Sequence, residues 1–109
     1  MKIKLRDAAK VIRSKNSGPY ELTFDIIFKD KETYENIKSS RVINRELIAG
    51  LYSVDIDDVK EIVEFTPANA IKATIRRRVV SGAAGDSDIY GAQQHAPLLG
   101  LEMEIQEVI

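Results

Sequence analysis

The chain has 109 residues, of which 44 % are hydrophobic and 30 % charged, and this balance excludes an intrinsically disordered or fibrous protein. It has no cysteine, so disulfides, thiolate metal sites and cysteine nucleophiles are excluded. No run reaches the roughly 20 apolar residues of a membrane span, the N-terminus shows no apolar signal core, and a pI near 5.8 argues against general nucleic-acid binding. One α+β domain over residues 1–109, in the cytoplasm, is the expectation, with no contact to membrane or nucleic acid.

The net charge of −1 hides an asymmetry. Lys2, Lys4, Arg6, Lys10, Arg13 and Lys15 crowd the first twenty residues. The last thirty hold Asp86, Asp88, Glu102, Glu104 and Glu107 with no lysine or arginine. Opposite-sign ends favour each other in a fold, or favour a partner.

Lys2 to Leu5 alternates and predicts a short N-terminal strand. Leu5, Ala8, Ala9 and Ile12 sit at helical spacing, which is compatible with a turn or two of helix. Arg13 to Pro19 reads as a loop dense in hydrogen-bond donors, closed by Gly18-Pro19. It runs into Glu21–Phe28, the clearest strand pattern, with Leu22, Phe24, Ile26 and Phe28 on one face and Thr23 and Asp25 on the other. A polar loop entering a strong strand is how a scaffold presents a site.

Asp30 is placed to cap a helix over 31–39, and Asn44 a second over 45–52 with Leu47, Ile48 and Leu51 as its apolar stripe. Val59–Phe65 and Ala70–Val80 predict two strands joined by the turn at Thr66 to Asn69. Residues 81–88 predict a loop, 90–99 a short helix limited by Pro97, and 101–105 a last strand. Without the N-terminal strand the order is βαββαβ, that of a ferredoxin-like antiparallel sheet with helices on one face. That topology sets strand 21–28 beside strand 70–80, with Thr23 and Asp25 near Lys72, Thr74 and Arg76. It also makes Lys2 and Lys4 candidates to pair with Glu102 and Glu104.

Two stretches carry candidate chemistry. Arg13, Ser14, Lys15, Asn16 and Gly18 offer a guanidinium, an ammonium, hydroxyl and amide groups and a freed backbone, which suit a carboxylate or phosphate oxygen. The bland alternative is a solvated turn. Gly82 to Pro97 is rich in small residues and holds Gln94 and His95, the sole histidine and thus the sole imidazole general base. Asp25 is the other candidate base, although a cross-strand ion pair is the simpler account of it. Asp86 and Asp88 lack the downstream glutamate of a calcium loop, so neither metal nor cofactor is expected. The run Arg76-Arg77-Arg78 alternates faces in a strand and is no nucleic-acid patch, and Phe24, Phe28 and Phe65 read as core rather than stacking platforms.

The stretches Leu5 to Pro19, Leu22 to Ile26 and Tyr90 to Leu98 are long and of unusual composition. On them the chain resembles a small bacterial and archaeal family of companions of the acyclic terpene utilisation protein AtuA, encoded beside it or joined to it. A looser likeness is to the ferredoxin-fold domain at the C-terminus of AtuA-type proteins, with Arg13, Ser14 and Gly18 at its motif positions. The glycine- and aspartate-rich loop of that domain is here Lys15-Asn16-Ser17. The resemblance implies an accessory partner in acyl or carboxylate metabolism.

Three functions compete. The first is an accessory subunit that holds an anionic ligand with Arg13–Gly18 and Tyr90–Pro97. The second is a free-standing enzyme using Asp25 or His95 as base. The third is a non-catalytic assembly module, and a homo-oligomer is expected in each.

Overall fold

The computed structural model describes residues 2–16, 21–76 and 96–105. Among the described residues six strands and four α-helices follow in the order β1 (Lys2–Lys4), α1 (Leu5–Ala8), β2 (Ala9–Asn16), β3 (Glu21–Phe28), α2 (Lys31–Ser40), α3 (Arg45–Tyr52), β4 (Val59–Phe65), β5 (Ala70–Arg76), α4 (Ala96–Leu99) and β6 (Glu102–Glu104). Strands β2-β3-β5-β4 form one antiparallel sheet, and β1 and β6 form a separate two-stranded ribbon.

This is an α+β fold whose strand order differs from the ferredoxin-like expectation. The edge beside β3 is taken by β2, from the N-terminal side, while the C-terminal strand leaves the sheet to pair with β1. The centre is as expected: β3 lies against β5, with Thr23 opposite Thr74 and Asp25 opposite Lys72. In the ribbon Lys2 pairs with Glu104 and Lys4 with Glu102, so the oppositely charged ends do meet.

The second departure is β2 itself. Residues 13–16 are strand rather than loop, and the helical turn before them ends at Ala8. A bulge between Ala9 and Val11 explains the misleading spacing. The extra residue puts Ala9 and Ile12 on the same sheet face although they are three apart, a helical interval created inside a strand.

Both main helices start where a side chain accepts an orphan amide. The Asp30 carboxylate accepts from the Thr33 N–H at 2.7 Å, and the Asn44 amide oxygen from the Leu47 N–H at 2.9 Å. Hydrogen bonds from Thr33 also hold the Asp30 carboxyl below its ordinary pKa. The helices lie on the face of Phe24 and Phe28: Tyr52 stacks on Phe24 with ring centroids 4.4 Å apart, and Tyr34 meets Phe28 at 6.1 Å. Burial pushes the Tyr52 phenol above its usual pKa. Leu5, Ala8, Leu98, Met103 and Ile105 join the same core, so the ribbon and short helices close one end of it. Tyr34, Phe24, Leu5 and Leu98 are all fully buried.

Candidate functional site

Alternation along the strands sorts the expected site residues onto two faces. Ser14 and Asn16 pair with Phe24 and Leu22 and so point to the helix-covered side, where Ser14 is buried. Arg13 and Lys15 pair with Asp25 and Thr23 and point to the other side. Among the described residues no helix lies on that second face. Gly18, Gln94 and His95 fall outside the described residues, as does most of the Tyr90–Pro97 stretch.

The second face consists of rows across the four strands. One row is Val11, Ile27, Ala70 and Phe65; the next is Arg13, Asp25, Lys72 and Val63; the third is Lys15, Thr23, Thr74 and Glu61. Glu21 and Arg76 begin a fourth, and Lys60 forms an ion pair with Glu21. The face is apolar at one end and charged at the other.

Asp25 occupies the centre. Its carboxylate accepts from the Arg13 Nε at 3.2 Å, with the Asp25 side chain 12 % and the Arg13 side chain 64 % exposed. The expected cross-strand ion pair exists, made with Arg13 rather than with Lys72, which stands opposite. One residue along, the Thr23 and Thr74 hydroxyls lie 3.4 Å apart. Asp25 thus sits low between neighbours, with its charge offset by a guanidinium that solvent still reaches. Arg13→Ala is expected to destabilise the fold by about 1 kcal/mol, because it leaves a largely buried carboxylate without its partner while the exposed half of the pair is screened. Chemical denaturation of the two proteins measures this, and an unchanged midpoint would show that Asp25 does not depend on Arg13.

Phe65 corrects the sequence reading most directly. It is 56 % exposed, and Val63 on the same face is 42 % exposed. In β4 Ile62 is half-buried on the core side while Val63 and Phe65 take the other parity. The signal was present as an apolar residue on each parity of Ile62-Val63-Glu64-Phe65, which a strand with one solvent face does not need.

Among the described residues no group of three or more His, Asp or Glu side chains is placed to hold a metal ion, and no helix is long and apolar enough to cross a membrane. A model of a domain of unknown function, DUF4387, matches residues 5–102. The chain belongs to DUF4387. No curated protein and no solved structure matches it. The DUF4387 match spans the N-terminal ribbon strand's neighbour α1, the whole four-stranded sheet and both capped helices. The DUF4387 match therefore covers the four-stranded sheet and its two capped helices, and a domain of unknown function brings neither a reaction nor a partner with it.

Proposed function

We propose that this protein is a non-catalytic assembly module that pairs with a second copy through the sheet face that no described helix covers. The order of residues across that face carries the reading. A twofold axis parallel to the strands, passing between β3 and β5, would lay β3 over β5 and β2 over β4 of the other copy. Five kinds of contact are then complementary, each made twice: Val11 over Phe65, Ile27 over Ala70, Asp25 over Lys72, Lys15 over Glu61 and Glu21 over Arg76, while Thr23 meets Thr74 and the Arg13 stem covers Val63. Aligned sheets pack about 10 Å apart, a gap that side chains of this length fill from both sides. Such a pairing removes Phe65 and Val63 from water and keeps like charges apart.

The face supports an enzyme less well, since Asp25 spends its charge on Arg13. An accessory role beside a larger AtuA-like metabolic protein is supported by the resemblance of residues 5–19, 22–26 and 90–98, and a place in the cytoplasm by the cysteine-free composition. Co-expression and co-purification of the two proteins test that part.

Sedimentation equilibrium of the isolated chain tests the pairing. A dimer is expected, weakened about tenfold or more by Glu61→Lys, which sets two lysines against each other at two places. The double variant Lys15→Glu with Glu61→Lys should restore it, because the swap re-forms both pairs. A monomer at every concentration, or a dimer indifferent to Glu61→Lys and to Phe65→Ser, would refute the face as the interface.

A further inference from the structure

On the opposite side of the sheet, a cleft of about 750 Å³ opens between the α2–α3 turn and strands β4 and β5. We infer that it binds a small organic anion with an apolar body, of the class of a medium-chain monocarboxylate. Its size is within the range of small-molecule sites, about 300–1,000 Å³.

The floor is apolar. Ile37, Ile43 and Ile71 are buried core residues, and Ile62 is half-buried beside them. The rim is cationic: Lys38, Arg41 and Arg45 line it against two carboxylates, Glu46 and Glu64. Among the described residues neither Lys38 nor Arg41 takes part in an ion pair. The Lys38 ammonium lies 5.8 Å from the centre of the Tyr34 ring, and the Arg45 guanidinium donates to the Lys60 carbonyl at 3.1 Å, which orients Arg45 at the mouth. An apolar floor under an excess of positive charge accepts a hydrocarbon body and an anionic head together, and favours a ligand that has both over one that has either alone.

Arg41 supplies the sharpest test. It ends α2 in the left-handed region, φ 53°, where glycine is the residue without steric cost. Its backbone is fixed there by its own N–H donating to the Lys38 carbonyl at 3.2 Å and by the Asn44 side-chain amide donating to the Arg41 carbonyl at 2.9 Å. The turn thus carries a guanidinium to the mouth of the cleft at a position where the backbone alone would favour glycine.

The experiment is a titration of the full chain, followed by amide resonances, with octanoate, octan-1-ol and inorganic phosphate as probes. Octanoate is expected to shift residues 37–46 and 62–71, and to bind about tenfold more tightly than either other probe. Arg41→Gly is expected to raise the melting temperature while weakening octanoate binding about fivefold or more, and to leave the oligomeric state unchanged. A role of Arg41 confined to the fold would lower both together. Octanoate binding elsewhere, binding equal to that of octanol, affinity unaltered in Arg41→Gly, or no binding of octanoate would each overturn the inference. None of these outcomes bears on the sheet-face dimer, because the cleft and that face lie on opposite sides.

Discussion

Phe24→Ala should remove about 3–5 kcal/mol of stability, read as a shift of the urea midpoint at constant slope. Phe24 is fully buried at the centre of β3, under the Tyr52 ring. Its cross-strand neighbours on that face are Ser14 and Ala73, both too small to move into the space its ring would vacate. The loss therefore combines the transfer cost of the ring with a cavity that cannot collapse. A domain of this size has about 5–15 kcal/mol in all, so the variant should be only marginally folded at room temperature. A change below about 1 kcal/mol would mean that the face of Leu22, Phe24, Ile26 and Phe28 is not the core.

Tyr34→Ala is the second large loss, again about 3–5 kcal/mol. Tyr34 is fully buried in α2, its ring tilted against Phe28, and its hydroxyl lies 2.9 Å from the Thr66 Oγ1 in the turn between β4 and β5. It therefore joins the helix layer to the far end of the sheet. Tyr34→Phe separates the two contributions: it keeps the ring and should cost only about 1 kcal/mol, since it leaves one hydroxyl near solvent to find water. If Tyr34→Phe proved as damaging as Tyr34→Ala, the hydrogen bond and not the ring packing would be the anchor.

Where the residue pattern followed one period, the fold was legible. The alternation of β3, the Asp30 and Asn44 caps and the turn before β5 all lie where the sequence put them, because each rests on contacts within a few residues. Strand β2 was hidden for a physical reason. Its bulge at Lys10 breaks the period, and Leu5, Ala8, Ala9 and Ile12 then imitate a helix stripe that only pairing with β3 reveals as turn plus strand. Misreading β2 also concealed the site: Arg13 could not be recognised as the partner of Asp25 while it was assigned to a loop. The register of β3 on β5 placed Lys72 opposite Asp25 correctly, but the arginine across the other edge takes the carboxylate. Phe65 was lost differently, since an aromatic residue closing a strand is read as core unless the parity of Ile62 is allowed to decide.

The β1–β6 ribbon has a mechanical consequence. Lys2 and Glu104 are paired, so the chain leaves the ribbon in both directions from the same end. Tension applied between the two termini would load its hydrogen bonds one after another, as in opening a zipper, and not all at once in shear. The first extension under force should therefore be the cheap peeling of two short strands, after which the fully buried Leu5 and Leu98 take the strain. The four-stranded sheet lies behind that seal, and a pull on either terminus would reach it last.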